Sequence, residues 1–201
     1  DFCLSRGLGD VYKRQALAIA ERILADLPNS EVLYIGCDNG LENNIVPTTS
    51  IPFKTISAQG LPRKLTPALA RSLMVNSKGV VEARKYIKAF KPDLVIGTGG
   101  FVCGPTVLMA CMNRVPAMIH EQNAYPGMTN RMLASRVSKV MINYPEASRF
   151  FVKAKETVLT GLPVRDDIGK LSREEGCEKF GLDPSKKTIL ITGGSRGART
   201  I

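Results

Sequence analysis

Short apolar runs alternate with longer amphipathic stretches along most of this chain. The runs end in glycine, proline or polar residues, as buried strands do, while the stretches repeat apolar residues with the period of a helix. The predicted strands are 31–36, 53–56, 93–97, 115–119, 138–143, 157–160 and 188–192. The predicted helices are 16–27, 38–46, 106–112, 127–135, 145–151 and 172–180, with a helical region at 61–90 that is broken near Pro62, Pro67 and Gly79. Alternating strands and helices predict an α/β fold with parallel sheets.

The first fifteen residues, DFCLSRGLGDVYKRQ, do not continue this pattern. They show neither the period of a helix nor that of a strand, although an amphipathic helix begins directly after them. A doubly wound domain needs a strand and a loop before its first helix. We expect no strand in this segment, which offers only Gly7 and Gly9 among charged residues.

The most informative stretch runs from residue 92 to residue 130. A predicted strand leads into the loop Thr98, Gly99 and Gly100, and Pro105 follows where the first turn of a helix tolerates proline. Such a unit leaves backbone N–H groups at a helix N-terminus that can hold a phosphate. A single loop of this kind is also explained by turn geometry alone, since strand-to-helix turns need glycine.

Polar residues follow the next predicted strand in the sequence HEQN, residues 120–123, and the pair Thr129 and Asn130 comes shortly after. Open α/β sheets bind ligands at the carboxyl ends of their strands. Because the glycine loop, HEQN and this pair fall within one βαβ unit, we interpret them as one ligand site.

Composition and charge narrow the class of partner. The chain has 201 residues, a net charge of +10 and five cysteines without metal-ligand spacing. The charge indicates nucleic acid, anionic lipid or a phosphorylated substrate. The odd cysteine count favours reduced thiols. No apolar run approaches the roughly 18 residues of a membrane span.

A domain boundary is predicted at 161–165, where the sequence reads GLPVR. Beyond it, the predicted strand 188–192 enters a second glycine loop, GGSRGA, at 193–198. One strand and the start of a helix cannot close a core, so we expect the second domain to be incomplete.

Five motifs in order carry a resemblance to a known family: TGGFVCGP, IHEQN, PGMTN, LPVR and GGSRGAR. From about residue 16 onwards the chain resembles the MurG family of bacterial N-acetylglucosaminyltransferases. The resemblance implies a glycosyltransferase-B fold of two Rossmann-like domains with parallel sheets. Residues 16–162 would form the acceptor-binding domain, and residues 163–201 the truncated start of the UDP-sugar-binding domain.

The implied reaction belongs to peptidoglycan synthesis, in cell wall biogenesis and cell division. GlcNAc would pass with inversion from UDP-GlcNAc to the 4-hydroxyl of MurNAc on undecaprenyl-diphosphate-MurNAc-pentapeptide. The enzyme would act as a peripheral protein on the cytoplasmic face of the bacterial inner membrane. No Asp-x-Asp triplet occurs in the chain, so we expect no metal and no cofactor. Helix N-termini and arginine would stabilise the leaving UDP.

The resemblance also assigns roles to individual residues. The acceptor diphosphate would be held by Thr98, Gly99 and Gly100. The sugar-nucleotide donor would be contacted by Asn123, Arg165 and Ser195. The cleft would be supported by His120, Glu121, Thr129 and Asn130. We interpret His120, the only histidine, as a partly buried residue that fixes the loop after its strand rather than as a catalytic base.

Plainer roles fit two of the donor residues when the local sequence is taken alone. Arg165 can pair with Asp166 or Asp167 at the surface, and Ser195 can cap a helix.

The general base is unknown from the sequence. The family has a histidine in an N-terminal GGTGGH loop, and Tyr12 stands at its position here. The difference from the family pattern covers all of residues 1–15 and stops abruptly at Ala16. Scattered point mutations do not produce such a sharp boundary. We therefore expect residues 1–15 to be foreign to the natural protein and this chain itself to be inactive.

The region 61–90 mixes basic and apolar residues in an order that fits a surface contacting anionic lipid. Two alternatives remain: a non-catalytic nucleic-acid-binding module, supported by the charge, and a related UDP-GlcNAc epimerase. Aromatic residues make up 6% with no Trp, so stacking platforms for bases are scarce and we expect no nucleic acid partner.

Overall fold

The computed structural model describes residues 2–5, 10–38, 42–60, 62, 67–165 and 168–190, and for 2–5, 10–14 and 44 it describes the backbone alone. The chain divides into two compact units, residues 1–163 and 164–201. The first unit contains the sheet and its helices, and the second contains one described helix.

Strands and helices alternate through the first unit. The strands are β1 (Phe2–Ser5), β2 (Val32–Cys37), β3 (Phe53–Ile56), β4 (Leu94–Gly97), β5 (Ala117–Glu121), β6 (Lys139–Ile142) and β7 (Thr157–Leu159). The helices are α1 (Asp10–Asp26), α2 (Glu42–Ile45), α3 (Pro67–Phe90), α4 (Cys103–Met112), α5 (Met128–Leu133) and, in the second unit, α6 (Arg173–Phe180). Two 3-10 helices, Val46–Thr48 and Pro145–Phe150, complete the described elements.

The seven strands form one parallel sheet in the order β3-β2-β1-β4-β5-β6-β7. Residues of β2 alternate between two cores: Val32 and Tyr34 pack with α1, while Leu33 and Ile35 belong to the core of α3 and α4. Burial on both faces explains why the strands read as short apolar runs. The predicted α/β fold with a parallel sheet is confirmed.

The prediction that no strand precedes the first helix is wrong. Residues Phe2–Ser5 form β1, which pairs with both β2 and β4 at the centre of the sheet. Three apolar residues are too few for a periodic pattern, yet a short strand is sufficient where hydrogen bonds come from both sides. The helix after it begins at Asp10, six residues before the predicted start. That residues 1–15 are foreign to the natural protein stays a prediction.

The predicted break near Gly79 is also wrong, because α3 is continuous from Pro67 to Phe90. Gly79 is buried, and a Cβ at this position would collide with the carbonyl oxygen of Ser57. The glycine is therefore explained by the close approach of α3 to the segment after β3, which local sequence cannot indicate.

The structure describes residues 164, 165 and 168–190 of the second unit, and these residues include α6. Ser172, predicted as the first helical residue, is the N-cap, and it forms a capping box with Glu175. Residues 188–190 of the predicted strand 188–192 are not in a strand, and the remainder lies outside the described residues. No described helix is long and apolar enough to cross a membrane.

Candidate functional site

A cleft of about 250 Å³ opens beside the carboxyl ends of β4 and β5. Three segments that are separate in sequence meet there, namely the loop after β4, the end of β5 with the residues after it, and the start of α5. The lining residues are Gly99, Gly100, Phe101, Glu121, Gln122, Asn123, Gly127, Met128, Thr129 and Asn130. This is the edge at which parallel sheets place their ligands.

The loop between β4 and α4 forms one wall of the cleft. Thr98 is fully buried, and Gly99 and Gly100 follow with φ angles of +97° and +82°. A Cβ on Gly99 would lie 3.7 Å from Asn130 Nδ2 and 4.0 Å from Gln122 Nε2. The left-handed backbone therefore excludes side chains and keeps this part of the cleft open to a ligand.

The end of β5 differs from the prediction. The strand was expected at 115–119, yet it extends to Glu121, and His120 and Glu121 pair in register with Met141 and Ile142 of β6. Polar residues normally indicate the end of a buried strand. Here the side chains find hydrogen-bond partners in the loops beyond the sheet, so the strand continues through them.

Glu121 organises the cleft through four hydrogen bonds. Its Oε1 accepts from the Asn123 backbone N–H at 3.0 Å and from Asn123 Nδ2 at 2.9 Å. Its Oε2 accepts from the Gly127 N–H and from Asn130 Nδ2, both at 3.0 Å. The side chain is 1% exposed. All four partners are donors, so this buried carboxylate is satisfied and fixes the loop from β5 to α5.

Asn130 links three elements beneath the cleft. Besides Glu121, its Nδ2 donates to the His120 carbonyl at 3.1 Å, and its Oδ1 accepts from Cys103 Sγ of α4 at 3.9 Å. Burial raises the pKa of the Cys103 thiol to about 12, so the sulfur remains a neutral donor. Asn130 is thus a structural connection between α5, β5 and α4.

His120 is 1% exposed and does not line the cleft. Its Nε2 donates to the Gly161 carbonyl at 2.9 Å, and its Nδ1 is enclosed without a partner in the described chain. Burial lowers the pKa of His120 more strongly than the Gly161 carbonyl and the Glu121 carboxylate raise it. The ring is therefore neutral near pH 7, and it connects β5 with the segment after β7 rather than with the loop that follows its own strand.

Most of the residues assigned from the sequence lie together. Gly99, Gly100, Asn123 and Thr129 line one cleft with Glu121 and Asn130, and buried Thr98 directly precedes its glycine loop. Arg165 belongs to the second unit, where it is exposed, and Ser195 lies outside the described residues. The donor contacts assigned to these two residues stay predictions.

Gln122 is a cleft residue to which the sequence assigned no role. It is 8% exposed, and its Oε1 is enclosed without a donor in the described chain. Its position within HEQN was visible in the sequence, but its unmet hydrogen bond is a property of the packed structure.

Comparisons with known proteins identify a family. The sequence model of the glycosyltransferase family 28 N-terminal domain matches residues 9–142. The UDP-N-acetylglucosamine–N-acetylmuramyl-(pentapeptide) pyrophosphoryl-undecaprenol N-acetylglucosamine transferase of Desulfitobacterium hafniense (strain Y51) is 50% identical over 193 residues, which are 96% of this chain and 52% of that protein. The chain thus spans about half the length of the curated relatives it matches. The family resemblance drawn from the five motifs is confirmed.

Solved structures agree with the fold. The crystal structure of Acinetobacter baumannii MurG matches with a TM-score of 0.65 at 29% identity, covering 85% of this chain and 47% of that one. The glycosyltransferase-B prediction is thereby confirmed for the first unit. A UDP-GlcNAc 2-epimerase from Neisseria meningitidis matches with a TM-score of 0.54 at 13% identity, covering 80% of this chain and 45% of that one, and shares the fold alone.

Proposed function

This chain belongs to glycosyltransferase family 28, and from that premise we propose that its first unit is the acceptor-binding half of an inverting N-acetylglucosaminyltransferase. The whole enzyme transfers GlcNAc from UDP-GlcNAc to the 4-hydroxyl of MurNAc on undecaprenyl-diphosphate-MurNAc-pentapeptide. The observation that carries the proposal is the 50% identity, over 96% of this chain, to a relative named for that activity.

The geometry of the cleft supports an acceptor with a diphosphate. Gly99 and Gly100 place no side chain on their part of the wall where it would block the approach of phosphate oxygens. A helix N-terminus also carries a partial positive charge that favours an anion. Thr98, Gly99 and Gly100 are therefore proposed to hold the diphosphate, while Asn123 on the same cleft is proposed to contact the donor.

The base that accepts the proton of the attacking hydroxyl is not proposed among the buried residues of HEQN. Glu121 already accepts four hydrogen bonds. His120 does not line the cleft, and its Nε2 is bonded to the Gly161 carbonyl. Neither offers an open lone pair to a substrate hydroxyl. We infer that both residues shape the site and that the proton goes elsewhere.

A glycine substitution tests the diphosphate assignment. Gly99→Ala is expected to weaken binding of a short-chain prenyl diphosphate carrying N-acetylmuramyl-pentapeptide by at least about tenfold, measured by titration calorimetry. Alanine at φ +97° carries backbone strain of roughly 1–3 kcal/mol, and its methyl group would occupy the open wall of the cleft.

Gly169→Ala is the matched control, because Gly169 has a φ of +80° but nothing within 4 Å of its Cβ position. It introduces similar strain in the second unit, so its affinity should equal that of the unsubstituted chain. Equal affinity of Gly99→Ala, or no binding by the unsubstituted chain, would count against the proposal.

We further propose peripheral attachment to the cytoplasmic face of the bacterial inner membrane through α3. One stripe of this helix, containing Ser72, Gly79, Ala83 and Ile87, is buried. The remaining surface exposes Met74 by 75%, together with other large apolar residues and basic side chains. Apolar and basic groups on one exposed helix surface fit an anionic lipid interface.

Vesicle binding measures this attachment. The chain should bind anionic but not neutral vesicles, and salt should weaken the binding. Each basic side chain near such a surface contributes about 1 kcal/mol, so replacing four of them by glutamine should lower the partition coefficient more than tenfold. The four are Arg63, Lys64, Arg71 and Lys78, of which the first two lie outside the described residues.

The control removes the same charge from exposed lysines elsewhere, namely Lys153, Lys155, Lys170 and Lys179. It should bind vesicles more tightly than the first variant. Equal binding by the two variants would show that net charge alone, rather than the basic residues of the region 61–90, attaches the chain. Tighter binding to RNA than to anionic vesicles would favour the nucleic-acid alternative.

A further inference from the structure

We propose that the Gln122 side chain binds the acceptor directly and sets the orientation of its sugar relative to its diphosphate. The inference rests on the proposed function, because it takes the cleft to be the acceptor site. Gln122 would then be a specificity-determining residue for a sugar diphosphate.

The first observation is an unmet hydrogen bond. Gln122 lines the cleft and is 8% exposed, and its Oε1 is enclosed without a donor in the described chain. Buried amide oxygens are almost always paired, since desolvating one without a partner is unfavourable. An exception at the wall of a ligand-sized cleft points to a partner that arrives with the ligand.

The second observation is the position of the same amide beside the glycine loop. A Cβ on Gly99 would lie 4.0 Å from Gln122 Nε2, so the N–H donors of Gln122 lie against the wall proposed to hold the diphosphate. The backbone carbonyl of Gln122 is engaged separately, accepting from Asn143 Nδ2 at 3.4 Å. The backbone at residue 122 is therefore held in place, while the side-chain Oε1 keeps an unmet hydrogen bond.

The other buried polar side chains of the cleft differ in this respect. Glu121 and Asn130 use their polar atoms on each other and on neighbouring groups of the protein. They shape the cleft and have no buried polar atom without a partner, whereas Gln122 has one, its Oε1.

The chemistry of the carboxamide identifies the part of the ligand that it contacts. Its N–H groups can donate to a diphosphate oxygen, but a diphosphate oxygen cannot donate to Oε1. The partner of Oε1 must carry a hydroxyl or an amide N–H, and a sugar or its acetamido group supplies both. One side chain would thus bind both sides of the sugar–phosphate linkage and limit the rotation of the sugar.

The test compares two probes on the same chain. One is a short-chain prenyl diphosphate, and the other is the same lipid carrying N-acetylmuramyl-pentapeptide. Gln122→Met keeps the size of the side chain and removes both hydrogen bonds. It is expected to lower affinity for the sugar-bearing probe about tenfold and for the sugar-free probe about threefold or less.

Thermal unfolding without ligand separates binding from a structural role. Gln122→Met removes an unpaired buried polar group, so the melting temperature should stay equal or rise. The matched control is Gln15→Met, because Gln15 is 2% exposed, both of its side-chain polar atoms lack partners in the described chain, and it does not line the cleft. This control should behave similarly on heating and leave both affinities unchanged.

Three outcomes would overturn the inference while leaving the proposed function in place. They are equal affinity of Gln122→Met for the sugar-bearing probe, an equal loss for both probes, and a lower melting temperature that accompanies the loss. Failure of the unsubstituted chain to bind either probe would instead overturn the proposed function, and the inference with it.

Discussion

Replacing Glu121 with glutamine is expected to lower the free energy of unfolding of the first unit by about 3 kcal/mol. It should also weaken acceptor binding by more than tenfold. The size of the effect follows from the four donors around the carboxylate, two on each oxygen. This is the largest loss of stability that we expect from a conservative substitution in the cleft.

The reason is that a glutamine has only one acceptor where the carboxylate has two. If its NH₂ group takes the place of Oε1, it faces the Asn123 backbone N–H and Nδ2. If it takes the place of Oε2, it faces the Gly127 N–H and Asn130 Nδ2. Either orientation removes the carboxylate acceptor of two hydrogen bonds, at about 1–3 kcal/mol for each.

Urea denaturation measures the loss, and amide hydrogen exchange at Asn123 and Gly127 locates it. Glu156→Gln is the matched control. Glu156 pairs with Lys139 at 2.9 Å, but both side chains are about half exposed, and such surface pairs contribute about 0–1 kcal/mol. Unchanged exchange at Asn123 and Gly127 in Glu121→Gln would contradict the role assigned to Glu121.

The sequence predicted the arrangement of the fold better than the limits of its elements. Parallel strands followed from short apolar runs, and the edge of the sheet that holds the cleft followed from polar residues placed after two of them. The strand with HEQN was predicted to stop at residue 119, because His120 and Glu121 are polar. Their partners, Gly161 and the loop to α5, are distant or irregular segments that no periodic pattern connects to a strand.

Tertiary contacts explain the other errors. Gly79 was taken as a break in a helix, yet it marks the place where α3 approaches Ser57 too closely for a side chain. The strand Phe2–Ser5 was missed because its stability comes from pairing with β2 and β4, which lie far along the chain. Both features depend on what packs against a residue rather than on the residue and its neighbours in sequence.

The site shows the same division. The family motifs indicated which residues line the cleft, but they did not separate residues whose polar atoms are all paired from residues with an unmet hydrogen bond. Glu121 and Asn130 are saturated, whereas Gln122 is not. This distinction requires a complete account of donors and acceptors, which becomes possible only once the chain is folded.

The largest effect on activity is expected from the first fifteen residues. Two chains would each be joined to the C-terminal half of the relative from Desulfitobacterium hafniense (strain Y51). In one of them, residues 1–15 would also be replaced by a strand and a GGTGGH loop of the family pattern. GlcNAc transfer to the lipid acceptor is expected only from the replaced chain. Loss of a general base typically lowers a rate by about 10²–10⁴-fold.

We expect the loss of activity to come from the absent GGTGGH loop and from Tyr12 rather than from the strand, since Phe2–Ser5 already occupies the centre of the sheet as β1. A phenol with a pKa of about 10 is a poor base at pH 7, whereas a histidine near pKa 6.5 is a suitable one. A third chain with Tyr12→His alone separates the two contributions. It should recover only part of the rate, because it still lacks the glycines of the family's N-terminal GGTGGH loop. Comparable turnover from the chain that retains residues 1–15 would show that this segment is native and that the base lies elsewhere.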